Sequence, residues 1–128
     1  MRRFLFVLAV SSALSLSIPA TAHAYTSNVE RWRPVVRAQM EAQHVPLSER
    51  RWLENAAMRC ISRESGGREK AKSGQHVGLL QFNRSWIRRS RTDWRWSGDY
   101  SIRRFVKAYK QGGKRNIRRH WKATVGRI

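Results

Sequence analysis

Apolar residues recur at steps of three and four along the chain after residue 33, whereas the alternation typical of strands is scarce. The clearest series begins near Ser48, which we expect to be an N-cap, with Leu47 and Trp52 at the spacing of a hydrophobic staple. Its inward positions are Leu53, Ala56, Ala57, Cys60 and Ile61. Glu64 continues this apolar face, and Gly66-Gly67 is typical of a helix end. The pattern therefore predicts a helix that carries a carboxylate to the edge of the core.

The segments on either side of this helix are shorter and less regular. Pro34 is expected to open a first helix at about residues 33–43. Residues 68–82 are predicted to be a loop, and Asn83 is expected to cap a short helix after it. The apolar residues expected to face the core in these two helices are Val36, Met40, Trp86 and Ile87.

The last part of the chain predicts two further helices. Asp99 is expected to cap the first of them and Gly112-Gly113 to end it. The second is expected to begin at about Asn116. The inward positions of these helices are Ile102, Phe105, Val106, Tyr109, Ile117, Trp121 and Val125. Together the helical segments predict an all-α fold in one small domain.

The N-terminal segment has the features of a secretory signal peptide. Two arginines precede an apolar run at residues 4–18, and Ala22-His23-Ala24 offers small residues for cleavage. The run is shorter than the roughly twenty apolar residues of a membrane span. We therefore expect residues 1–24 to be removed and residues 25–128 to form an exported domain without a membrane span. The alternative is a permanent N-terminal anchor.

Basic residues dominate the charge of the chain. It has 27 lysines and arginines against 8 acidic residues, a net charge of +19. Cleavage after residue 24 removes two arginines, which leaves 25 basic and 8 acidic residues and a net charge of +17. A charge of this size attracts polyanions, DNA included at low salt. Because we expect export, we expect anionic cell-wall polymers, and not nucleic acid, to be the physiological partners.

The single cysteine, Cys60, can form no internal disulfide. We expect it to be a buried small apolar residue in a monomer, with an intermolecular disulfide as the alternative. His44, His76 and His120 are scattered without the spacing typical of metal ligands. The sequence therefore predicts neither a metal nor a cofactor.

Glu64 is the leading candidate for chemistry. Gly78-Leu79-Leu80-Gln81-Phe82 follows it at a spacing that allows this segment to fold back over the helix end. A carboxyl group in that setting suits proton transfer to a leaving oxygen, the first need of glycoside cleavage. The alternative is a solvent-exposed glutamate at a fraying helix end. Glycoside hydrolases usually need a second carboxylate, and the candidates Glu69, Asp93 and Asp99 stand in no motif.

Three short motifs occur in order along the chain: Glu64-Ser65-Gly66-Gly67, Gly78-Leu79-Leu80-Gln81-Phe82 and Ala108-Tyr109-Lys110-Gln111-Gly112. On these motifs the chain resembles the soluble lytic transglycosylase domain, from about residue 34 to residue 121. The resemblance implies a lysozyme-like fold. The third motif departs from the family pattern, which has Asn at the position of Lys110.

The resemblance also implies an activity, the cleavage of peptidoglycan glycan strands. Glu64 is implied to protonate the oxygen between N-acetylmuramic acid and N-acetylglucosamine, then to accept a proton from the sugar's own 6-hydroxyl as an anhydro ring closes. This mechanism demands no second carboxylate. Ser65 is implied to order the segment after Glu64, and Gly78 to give its loop backbone freedom. Gln81 is implied to hydrogen-bond the substrate, and Tyr109 to lie close to Glu64 and orient it.

Three other functions stay open at this point: a hydrolytic muramidase on the same fold, a non-catalytic cationic protein that binds the cell wall, and a cationic membrane-active protein. The last is less favoured because the helices carry ordinary core faces and not the long continuous apolar face of surface-lying peptides. Tyr109 also fits a purely structural place in the core, because it lies on the apolar face of its helix. Trp86, Trp94 and Trp96 are candidates for flat platforms under sugar rings, with cover for a small core as the alternative.

Overall fold

The computed structural model describes residues 27–87 and 97–126, which are mostly helical and include one small sheet. The predicted signal peptide and the candidates Asp93, Trp94 and Trp96 lie outside the described residues. The helices are α1 (Arg33–Ala42), α2 (Leu47–Ser65), α3 (Gly98–His120) and α4 (Lys122–Val125). The strands are β1 (Lys72–Ser73), β2 (His76–Val77) and β3 (Phe82–Asn83), and a 3-10 helix follows at Arg84–Ile87.

Helix α1 agrees with its sequence pattern to within one residue at its end. Pro34 occupies the first turn, where its missing N–H costs nothing. Val36 and Met40 are buried, as their helical spacing predicts. The helix packs on α2 and α3, and burial of its single apolar face against them stabilises it.

Helix α2 has the predicted apolar face but not the predicted start. The five inward positions are all fully buried in the structure: Leu53, Ala56, Ala57, Cys60 and Ile61. The helix begins two residues earlier than expected, at Leu47 with Pro46 as its cap, because the Glu49 N–H already donates to the carbonyl of Pro46 at 2.9 Å. Ser48 therefore lies inside the first turn and caps nothing, and Leu47 is 80% exposed and forms no staple. Val45 is buried beside this turn instead.

The segment predicted to be a loop folds into a three-stranded antiparallel sheet in the order β1-β2-β3. Lys72 pairs with Val77, and His76 pairs with Asn83. Strands of two residues are too short to show an alternating pattern, so no sequence pattern predicted them. The prediction of an all-α fold is thus right for most of the described chain and wrong for this sheet.

Helix α3 begins with a different cap from the one predicted. The Ser97 hydroxyl accepts a hydrogen bond from the Tyr100 N–H at 3.3 Å, and Asp99 lies in the first turn. Asp99 is therefore not the N-cap. Gly113 has non-helical angles (φ 61°, ψ −158°), and this break comes at the glycine pair predicted to end the helix. The predicted inward residues of α3 and α4 are all buried: Ile102, Phe105, Val106, Tyr109, Ile117, Trp121 and Val125.

The core lies between the four helices, and Leu79, Leu80 and Phe82 of the sheet region belong to it. Cys60 is fully buried there, and burial raises the pKa of its thiol, so its expected place as a small apolar core residue is confirmed. Asn83 caps the 3-10 helix as predicted, since its Oδ1 accepts from the Ser85 N–H at 2.9 Å. None of the helices in the described part of the chain is long and apolar enough to cross a membrane.

Candidate active site

Glu64 lies on the last turn of α2, where its half-buried side chain lines a cleft of about 190 Å³. The other walls come from the β2–β3 region and from the end of α3. Their lining residues are His76, Gln81, Phe82, Asn83, His120 and Trp121. The hydroxyl of Thr124, in α4, donates to Oε1 of Glu64 at 3.1 Å. Among the described residues, the group that hydrogen-bonds this carboxylate is thus a neutral donor.

The turn after Glu64 is fixed by hydrogen bonds to backbone atoms. The buried Ser65 hydroxyl donates to the Ile61 carbonyl at 3.1 Å and accepts from the Gly67 N–H at 3.2 Å. The carbonyl of Gly67 in turn accepts from the Trp32 indole N–H at 2.9 Å and from the Arg31 guanidinium at 3.2 Å. Ser65 thus contacts the backbone around Glu64 and is not among the residues that line the cleft.

Gln81 reaches the cleft from a tight backbone turn. It has φ 51°, and Gly78 before it has φ 85°, a conformation that glycine adopts without strain. The Gln81 amide nitrogen donates to the carbonyls of Ala71 at 3.1 Å and Gly78 at 2.9 Å. Nothing in the described residues donates to its buried Oε1. The side chain therefore braces the loop with both amide hydrogens, while Oε1 is buried and accepts no bond from the described residues.

Trp121 forms part of both the cleft and the core. Its indole N–H donates to the Leu80 carbonyl at 3.1 Å, and the Phe82 ring meets it edge-on at 5.3 Å. It is buried, in agreement with the sequence-based prediction for this residue. It anchors the second motif, which contains Leu80 and Phe82, against the last helices.

Sequence reasoning missed three cleft residues: His76, Asn83 and His120. The histidines had no ligand spacing, and they meet only because the sheet and the end of α3 fold to the same place. Burial and the neighbouring Arg119 lower the pKa of His120, which favours the neutral imidazole. The cleft therefore offers two imidazoles and the two amides of Gln81 and Asn83 beside its carboxylate.

The structure does not bring Tyr109 to Glu64, and the prediction that it orients this residue is wrong. The Tyr109 hydroxyl donates to the carboxylate of Glu49, in the first turn of α2. Fifteen residues of helix separate Glu49 from Glu64, which is about 22 Å along the axis. The reason is that Tyr109 faces the start of α2, where its ring also packs against Trp52 at 6.0 Å. Lys110 donates to the Gln43 carbonyl at 2.6 Å.

We expect Tyr109→Phe to lower the free energy of unfolding by about 1–2 kcal/mol, because it leaves the Glu49 carboxylate without its buried donor. Burial and the bond to Glu49 raise the pKa of Tyr109 from 10.0 to about 12. A raised folded pKa adds stability that is complete below the unfolded pKa and lost as the pH rises through the folded value. The advantage of the wild type should therefore be constant below pH 10 and vanish near pH 12. Urea unfolding of both proteins across this range measures it, and a pH-independent difference would contradict it.

No protein-family model, curated protein or solved structure matches the chain.

The carboxylates of Glu49, Glu69 and Asp99 lie outside the lining of the cleft. Among the described residues that line it, Glu64 is the only carboxylate. Glu69 accepts from the Gly98 N–H at 2.9 Å and so caps the start of α3. Glu49 is bound to Tyr109, and Asp99 is exposed in the first turn of α3. Within the described ranges, no three metal-ligating side chains lie together. The described part of the site can thus supply one carboxyl group, the two imidazoles of His76 and His120, and neutral hydrogen-bonding groups.

Proposed function

We propose that this protein is an exported enzyme that cuts the glycan strands of peptidoglycan as a lytic transglycosylase. The observation that supports the proposal most is that Glu64 and Gln81, which come from the two best-matched motifs, line one cleft. A lysozyme-like fold is part of the proposal. It is supported by a cleft that opens between a small antiparallel sheet and the ends of helices.

The chemistry would proceed in two proton transfers at Glu64. First, the protonated carboxyl gives its proton to the glycosidic oxygen, and the bond to the muramoyl carbon breaks. Next, the carboxylate takes the proton of the muramoyl 6-hydroxyl, whose oxygen bonds to the same carbon and closes the anhydro ring. Because the nucleophile belongs to the sugar, one carboxylate is enough. The hydrogen bond from Thr124 engages Oε1 and leaves Oε2 for these transfers.

A second candidate function is a cationic protein that binds the wall without cutting it. The charge of the chain favours it, because 27 basic residues against 8 acidic ones attract the anionic polymers of a cell wall. The third motif also favours it, since Tyr109 and Lys110 both bind other parts of the protein rather than the cleft. Under this alternative Glu64 would be a structural residue.

Digestion of purified peptidoglycan, with the released muropeptides identified by mass, separates these functions. Anhydro-muramoyl ends are expected from a lytic transglycosylase. Reducing ends would keep the site but make the enzyme a hydrolytic muramidase. No release, with protein that still sediments with the wall at low salt, would leave only the binding function.

Export is the part of the proposal that concerns residues 1–24. We expect the protein recovered outside the cytoplasm to begin at Tyr25, because Ala22-His23-Ala24 offers small residues at the cleavage positions. N-terminal sequencing or intact-mass measurement of the exported form checks this. A full-length protein that stays with the membrane fraction would instead support a permanent anchor.

A further inference from the structure

The catalytic cleft continues into two further depressions along α3. The first, about 320 Å³, shares Phe82 and His120 with the cleft. The second, about 310 Å³, shares Arg104 and Lys107 with the first. Because each depression shares lining residues with the next, they form one path that leads away from Glu64. We call this path the α3 groove, and its further lining residues are Gln43, Tyr100, Arg103, Ala108, Gln111 and Asn116.

The α3 groove is strongly cationic. Its α3 residues Tyr100, Arg103, Arg104, Lys107 and Gln111 follow helical spacing, so they share one side of the helix. The guanidinium groups of Arg103 and Arg104 lie 5.7 Å and 6.0 Å from the centre of the Tyr100 ring, which restrains both of them. Helix α3 as a whole carries eight lysines and arginines and one aspartate.

Amide side chains that can hydrogen-bond a peptide backbone lie on the part of the groove next to the cleft. Asn116 follows the break at Gly113, and its amide nitrogen donates to the Ala108 carbonyl at 2.8 Å. This bond holds the Asn116 side chain in place at the groove wall, beside Gln111. The groove thus combines amide groups near the cleft with arginine and lysine further out.

We propose that the α3 groove binds the acidic stem peptide of the glycan strand that Glu64 cuts. This inference rests on the proposed function. A muramoyl residue in the cleft carries its stem peptide on its lactyl group, so the peptide must leave the cleft along a connected surface. From Tyr100 to Gln111 the helix spans about 16 Å, and an extended peptide of four or five residues spans about 13–17 Å. Carboxylates along the peptide would meet Arg103, Arg104 and Lys107.

The test compares glycan strands that bear stem peptides with strands from which an amidase has removed them. The wild type should prefer stem-bearing strands, measured as the ratio of the two kcat/KM values. In Arg104→Gln/Lys107→Gln this preference should fall about tenfold, because two exposed charge pairs are lost. The control Arg51→Gln/Lys70→Gln removes the same charge from residues outside the cleft and the α3 groove and should keep the preference.

A second measurement separates this inference from the proposed activity. Glu64→Gln protein is titrated with soluble stem-bearing and stem-free strands, with and without the Arg104→Gln/Lys107→Gln change. If the wild type cuts neither substrate, the proposed enzymatic function is wrong. The ratio of the affinities for stem-bearing and stem-free strands then decides alone whether the groove recognises the stem. Equal preference in both proteins would overturn the inference. Teichoic acid is titrated in the same way. If the Arg104→Gln/Lys107→Gln change weakens binding to teichoic acid but leaves the stem preference unchanged, the groove binds a phosphate polymer instead.

Discussion

Replacement of Glu64 by Gln is expected to reduce the release of muropeptides at least about 10³-fold, because an amide cannot deliver a proton to the glycosidic oxygen. The change removes one proton donor and almost nothing else. The amide oxygen can still accept the hydrogen bond that Thr124 now gives to Oε1. Release is measured by mass spectrometry of digested peptidoglycan, and folding by urea unfolding of the same preparation.

The matched control for this variant is Glu41→Gln, the same chemical change at an exposed residue of α1 away from the cleft. It should keep full activity. If Glu64→Gln and Glu41→Gln released muropeptides at the wild-type rate, another residue would carry the chemistry and the mechanism proposed above would be wrong. Retained binding to the wall by Glu64→Gln would show that recognition does not depend on the proton donor.

Replacement of Gly67 by Ala is expected to lower the free energy of unfolding by about 3 kcal/mol, from left-handed strain together with overpacking. Gly67 has φ 80°, and a Cβ there would lie 2.6 Å from the carbonyl carbon of Asn28 and 2.9 Å from the Val29 nitrogen. These are backbone atoms, which cannot rotate away as a flexible side chain can. The clash would also disturb the carbonyl of Gly67, which binds Trp32, directly after the turn that carries Glu64.

Gly74 supplies the control for this prediction. It also has a positive φ, 56°, but a Cβ there would have nothing within 4 Å. Gly74→Ala should therefore cost only the backbone strain, about 1 kcal/mol. Urea unfolding of the two variants beside the wild type isolates the contribution of the close approach. Equal losses of stability would mean that the contact with Asn28 and Val29 can relax, and that glycine is needed at position 67 only for its positive φ.

Much of the helical framework could be predicted, because a helix repeats the same local geometry at every turn. The inward residues of α2, such as Leu53 and Ile61, and those of α3, such as Phe105, are buried as their spacing predicts. The helix starts were less predictable. Ser48 and Asp99 are both good capping residues, but the caps depend on where the preceding chain enters, and the helices begin elsewhere.

The candidate site was predictable only where a motif fixed the neighbourhood of a residue. The Ser65 hydrogen bonds after Glu64 and the Gln81 bonds to Ala71 and Gly78 lie within short stretches of chain, and both Glu64 and Gln81 do line one cleft. Tyr109 was different. Its apolar position on α3 was correct, but which part of α2 it meets depends on how the two helices cross, and it meets Glu49.

Local spacing along the chain was enough to predict the helical class of the described residues, the apolar faces of the helices and the place of Glu64 at a helix end. Local spacing could not predict that His76 and His120 share a cleft with Glu64, or that Arg104 and Lys107 line the depression next to it along α3. These residues are far apart in the chain. Their meeting depends on how the sheet and helices pack, which no local pattern encodes.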